Sequence, residues 1–189
     1  MKKLLAIGVL MALCVVPAGL FAAQSESVDK GSVSFDLGPA FGFVLYTGDL
    51  DATAITILGG GPYNVSYFII DNLSIGGTFS FDSLKVKGSD ALTDLTIGPE
   101  VNYYLPLKDK MLLDIMGQLQ FTSSGGILTD PINQLAVGGG ASVVYLFNKT
   151  VGVYGGGQIL LGFDAKSGGT NVGGSYFSFG AGAGLKMFL

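Results

Sequence analysis

The chain closes on Phe177-Ser178-Phe179-Gly180-Ala181-Gly182-Ala183-Gly184-Leu185-Lys186-Met187-Phe188-Leu189, a two-residue alternation that runs to the last residue. Every odd position in it is apolar, while Ser178, Gly180, Gly182, Gly184 and Lys186 are small or polar. A period of two is a strand with one face in an apolar phase and the other against something narrow or polar. Soluble chains normally fray into water at their ends. A strand that stays amphipathic to its terminus is expected of the closing strand of a membrane β-barrel.

Seven more segments repeat the alternation: Gly31 to Tyr46, Thr53 to Phe68, Leu73 to Phe81, Thr93 to Leu105, Met111 to Thr122, Gln134 to Leu146 and Val151 to Phe163. Tight turns are expected at Asp71-Asn72, Pro106 to Lys110 and Asn148-Lys149. Longer loops are expected over Asp82 to Leu92, Ser123 to Asn133 and Asp164 to Gly174, with a short polar loop at Gly48 to Asp51. Gly59-Gly60-Gly61-Pro62 predicts a bend or bulge inside the second strand. Eight strands with alternating turns and loops make an all-β, antiparallel, up-and-down barrel.

Bulk decides which face is inside. The odd face carries Phe, Leu, Ile and Tyr; the even face is mostly Gly, Ser, Thr and Ala. Eight strands enclose only a modest interior, so the small face belongs inside and the large apolar face against lipid. A water-soluble barrel built the other way would show solvent a surface of Gly and Ser. Aromatics gather at both strand ends: Tyr67, Tyr103, Tyr104 and Tyr145 beside the tight turns, and Phe43, Tyr46, Phe79, Phe81, Phe121, Phe163, Tyr176 and Phe177 beside the loops. Two aromatic girdles are expected at the two membrane interfaces.

The first segment is expected to be an export signal: Lys2 and Lys3, an apolar run from Leu4 to Val16, then small residues leading to Ala22-Ala23. The organisation read from the sequence is a signal peptide over 1–23, a short N-terminal extension over 24–30 and a barrel domain over 31–189. Beyond the signal no apolar stretch approaches the roughly 20 residues of a membrane helix. The one cysteine, Cys14, lies in the signal, and the chain has no His and no Trp. Disulfides, thiolate chemistry and His-based triads are therefore excluded from the mature chain. The formal net charge of −4 becomes more negative once Lys2 and Lys3 are removed, which argues against a nucleic-acid partner. The Gly180-Ala181-Gly182-Ala183-Gly184 run lacks the strand-to-helix setting of a dinucleotide loop.

Four charged residues share the inward parity: Asp36, Glu100, Asp114 and Lys186. Asp36 and Lys186 lie near the tight-turn ends of the first and last strands, which become neighbours on closure; Glu100 and Asp114 lie at similar depth on the far wall. A charge in a narrow lumen must be paired or hydrogen-bonded, so Lys186 is expected to bond to at least one of the three acids. The remaining negative charge then needs a proton, water or a cation.

Tyr67-Phe68-Ile69-Ile70-Asp71-Asn72-Leu73-Ser74-Ile75-Gly76-Gly77 resembles a periplasmic turn region of the small outer-membrane β-barrel family, which includes the OmpA membrane domain, OmpX and OmpW-like proteins. Ile97-Gly98-Pro99-Glu100-Val101-Asn102-Tyr103-Tyr104 is similar to its fourth strand, and Val144-Tyr145-Leu146-Phe147-Asn148-Lys149 to the turn after its sixth. The final Leu189 departs from the aromatic residue commoner there. The resemblance implies a non-enzymatic integral protein of the bacterial outer membrane, with a structural or surface-interaction role. Its alternative implication is a narrow channel for small or hydrophobic solutes. The expected partners are outer-membrane lipids and, through the C-terminal strand, the insertion machinery. The expectation is a monomer with no catalytic residue, no cofactor and no metal.

Overall fold

Lipid offers no hydrogen-bond partner, so alternating strands can cross it only as a closed sheet. The computed structural model describes residues 28–48, 52–57, 63–84, 92–125 and 130–189. The expected signal, the bend at Gly59-Pro62 and the loop acids Asp49, Asp51 and Asp90 lie outside the described residues, as do the side chains of Phe43, Tyr46 and Asp82. The elements are β1 (Val33–Gly48), β2 (Ala52–Ile57), β3 (Tyr63–Ile70), β4 (Leu73–Leu84), β5 (Leu92–Lys108), β6 (Met111–Gly125), β7 (Ile132–Leu146), β8 (Val151–Gly162), β9 (Lys166–Ser167), β10 (Thr170–Asn171) and β11 (Tyr176–Phe188).

Each long strand pairs antiparallel with its sequence neighbour, and β11 pairs with both β8 and β1, which closes the ring. β2 and β3 both pair with β1 and form one stave, so the ring has eight. The pairing reaches the chain end: Val33 N–H donates to the Leu189 carbonyl at 2.7 Å, and Leu189 N–H returns the bond at 2.8 Å. A walk across paired residues that leaves β1 at Ser34 returns to it at Tyr46. That stagger is what tilts the strands of a small barrel.

The barrel is inside-out relative to a soluble protein. Val65, Ile75, Phe79, Ile97, Val101, Leu119, Phe121, Phe177 and Leu185 are exposed on its outer wall, while Ser34, Ser66, Ser74, Thr78, Asn102, Gln118 and Ser178 are buried inside. An apolar band of this extent is incompatible with water and matched to acyl chains. No helix among the described residues is long and apolar enough to span a membrane; the strands cross instead.

Several boundaries differ from the sequence expectation. β4 runs to Leu84, β5 spans Leu92 to Lys108 and β6 runs to Gly125, because a polar segment can extend a ladder wherever a neighbouring strand supplies the partner. The connection expected over Pro106 to Lys110 shrinks to Asp109-Lys110, with a register shift between Pro106 and Lys108. A matching shift lies beside Asp71-Asn72. Asn72 and Lys110 both sit at φ 62, the left-handed residue that three-residue hairpins need. The region 164–174 is more than a loop. Gly168 at φ 55 and Gly169 at φ 85 turn β9 into β10, and β9 pairs with β7. Gly-Gly between two polar pairs is a hairpin signal that the loop-like composition concealed.

Gly98 shows why inward positions are so often glycine. A Cβ there would overlap the backbone carbonyl of Leu119 on β6, where the β5–β6 ladder skips Gly98 and Pro99. Proline has no N–H to give the ladder, and the strands approach closely beside it. The crowding is therefore with the adjacent backbone rather than with lumen contents. Gly98→Ala is expected to cost about 1–3 kcal/mol in urea unfolding from detergent or vesicles. Gly155→Ala, where a Cβ would meet nothing within 4 Å, should stay within about 0.5 kcal/mol. Equal effects at the two sites would remove the close-approach explanation.

Candidate functional site

The lumen is layered from the tight-turn end upward. Its floor is apolar: Val28, Phe68, Tyr104, Leu112, Val144, Leu146 and Phe188 form one buried cluster. Ring centroids lie 5.2 Å apart for Phe68–Tyr104 and 5.8 Å apart, edge-on, for Tyr104–Phe188. Apart from Val28, all lie on the inward parity beside tight turns or the chain end, where the even face switches from small to large. This floor was not anticipated from the sequence. Its signal was available in the even-numbered Phe68, Leu112, Val144, Leu146 and Phe188.

The segment entering β1 straps this floor in place. Val28 N–H donates to Asn72 Oδ1 at 2.9 Å and Asn72 N–H to the Val28 carbonyl at 2.9 Å. Gly31 N–H donates to the Phe68 carbonyl, and Phe68 N–H to the Ser32 carbonyl, each at 2.9 Å. These bonds tie the N-terminal segment to the β3–β4 turn and hold Val28 in the apolar cluster.

Directly above lies Lys186. Its Nζ donates to Asp114 Oδ2 at 2.5 Å and to the Tyr104 hydroxyl at 2.8 Å, and lies 3.2 Å from Asp36 Oδ2. These three contacts occupy its three N–H donors. Asp36 is its direct cross-strand partner, whereas Asp114 and Tyr104 reach it from across the ring. Tyr104 thus spans two layers, ring in the floor and hydroxyl on the ammonium. It is fully buried, which corrects its assignment to the aromatic girdle. An even-numbered Tyr on β5 must point inward, while Tyr67 and Tyr145 stand exposed on the outer wall.

Glu100 is inside but does not touch Lys186. Its Oε1 accepts from Ser66 Oγ at 2.7 Å and from Asn102 Nδ2 at 3.0 Å. A third layer is made of amides: Gln120 Nε2 donates to Gln118 Oε1 at 3.0 Å, and Gln118 Nε2 donates to Gln158 Oε1 at 3.1 Å. That chain bridges from β6 to β8 past the inward Gly138 and Gly140 of β7. The arrangement is suited to filling and cross-linking the barrel.

No protein-family model matches the chain, and no curated protein does either. Solved structures do match. Neisserial surface protein A is 14% identical with a TM-score of 0.62, over 86% of this chain and 99% of that one. AlkL, solved by solid-state NMR in DMPC lipid bilayers, is 12% identical with a TM-score of 0.53, over 89% of this chain and 95% of that one. The fold is that of the small outer-membrane β-barrels.

Proposed function

We propose that the protein is a non-enzymatic integral protein of the bacterial outer membrane, acting as a closed structural barrel that presents its loops at the surface. One observation carries this reading: an apolar cluster drawn from strand ends on β3, β5, β6, β7 and β11 packs together beside the tight turns, with Val28 held in it by the bonds of residues 28–32. Water and ions do not pass a layer of interlocked Phe68, Tyr104, Leu112 and Phe188 side chains, because each would be desolvated without a partner. The floor counts against the narrow-channel alternative.

The loop side supports a presenting role. The β9–β10 hairpin is anchored at 3.1 Å by Ser167 Oγ on the Asp130 carbonyl, and Ser175 Oγ donates to Asp164 Oδ1 at 2.9 Å. The partners proposed are outer-membrane lipids around the belt and the insertion machinery acting on β11, with the barrel monomeric. The protein should fractionate with the outer membrane and migrate differently in gels before and after heating. In planar bilayers the refolded protein is expected to give no stable conductance steps, whereas the Phe68→Ala/Phe188→Ala double variant should leak. Reproducible steps from the unmutated barrel would replace this reading with the channel.

A further inference from the structure

Among the described residues six buried side-chain oxygens lack a hydrogen-bond partner: Asp114 Oδ1 lies on β6 and Ser74 Oγ at the turn end of β4, while the other four lie together on β1, β3, β4 and β5. Glu100 Oε2, Asp36 Oδ1, Asn64 Oδ1 and Thr78 Oγ1 are all buried, and none has a hydrogen-bond partner among the described residues. Asp36, Asn64 and Thr78 are direct neighbours in register across β1, β3 and β4. Glu100 occupies the adjacent row on β5. Neighbouring positions in a sheet are about 5 Å apart and diagonal ones about 7 Å, close enough for these short side chains to share one guest. Across the ring, the inward Gly138, Gly140 and Gly156 of β7 and β8 send no side chain into the lumen, although a Cβ at each would meet the neighbouring strand.

Charge selects the guest. Among the described residues the lumen holds three carboxylates and one ammonium, and Lys186 is already committed to Asp36, Asp114 and Tyr104. Glu100 is 3% exposed, and both donors it receives converge on Oε1. Water could satisfy Oε2 but could not neutralise it, and an uncompensated charge inside a lipid-wrapped barrel is costly. No three acidic side chains among the described residues converge as a metal cluster, which disfavours a divalent ion. One carboxylate oxygen beside amide and hydroxyl oxygens is a hard, low-charge donor set.

We propose that the lumen binds one alkali-metal cation, Na+ or K+, at Glu100 Oε2 with Asn64 Oδ1 and Thr78 Oγ1, beside Asp36. The bound ion cross-links β3, β4 and β5 from inside. It occupies the layer between the Lys186 cluster and the amide chain, and is independent of whether the floor below conducts.

The test uses the refolded full-length barrel, crystallised with Na+ and K+ replaced by Rb+ or Tl+. One anomalous peak is expected in contact with Glu100 and Asn64, and it should be lost in Glu100→Gln. In parallel, the urea midpoint should fall when NaCl is replaced by N-methylglucamine chloride at equal ionic strength, a cation too bulky for the site. The Glu100→Gln variant should show no such shift; Asn64→Ala serves if Glu100→Gln does not refold. Absence of the peak, or a peak that survives Glu100→Gln, overturns the proposal. So does stabilisation by Ca2+ alone, or an infrared carboxylic-acid band lost in Glu100→Gln, which would assign the charge balance to a proton.

Discussion

Lys186→Met is expected to lower stability by about 3–5 kcal/mol, the usual consequence of removing one member of a buried ion pair. Met keeps most of the volume of the stem, so the effect is electrostatic rather than a cavity. Lys186 and Asp114 are both almost fully buried, and the two carboxylates of Asp36 and Asp114 lie on either side of the same ammonium. Without it, two negative groups remain close together in the lumen and the Tyr104 hydroxyl loses its donor. The measurement is urea unfolding of the barrel in lipid vesicles, followed by tryptophan-free probes such as circular dichroism and gel mobility. Adding Asp36→Asn and Asp114→Asn to the Met variant should recover most of the loss, because neutral amides leave no stranded charge. A single-variant loss under about 1 kcal/mol would mean that lumen water solvates each group separately.

Ile97→Lys is expected to cost about 2–4 kcal/mol in lipid, the range for a basic residue near the bilayer midplane. Ile97 is 46% exposed on the outer wall and lies between Phe79 and Phe121 on the neighbouring strands. Phe81 and Leu95 continue the outward face beyond it toward the loops, so a new ammonium reaches that interface only by snorkelling past them. Val172→Lys, on the loop side and 52% exposed, should change stability by less than about 0.5 kcal/mol. Together the two report membrane position rather than exposure. If both substitutions were neutral in vesicles, the odd-numbered face would not be the lipid face.

Parity carried most of the fold. Because side chains alternate along every strand, naming one face apolar also names the contents of the other. Asp36, Glu100, Asp114 and Lys186 could thus be assigned to the interior before any contact was known. The one misplacement came from setting parity aside, where Tyr104 is grouped with Tyr103 in the girdle although its even number puts it inside with Glu100 and Asn102. Adjacent residues in a strand face opposite ways, so Tyr103 and Tyr104 cannot both belong to the outer wall. The apolar floor was overlooked because Phe68, Leu112, Val144 and Phe188 were each read within their own strand. Four strand ends far apart in sequence meet only when the ring closes.

What the sequence determined by itself is local and periodic: eight amphipathic strands, their turn chemistry at Asp71-Asn72 and Asn148-Lys149, and a large-outside, small-inside division that demands lipid. These follow from the two-residue repeat and from side-chain volume, which are properties of neighbouring residues. Tertiary structure alone decided that Lys186 reaches Asp114 and Asp36 while Glu100 turns to Ser66 and Asn102. It also decided that Gly98 is required by the Leu119 carbonyl. Those outcomes depend on strand stagger around the closed ring, and stagger is set by register summed over every pair, which no single strand records.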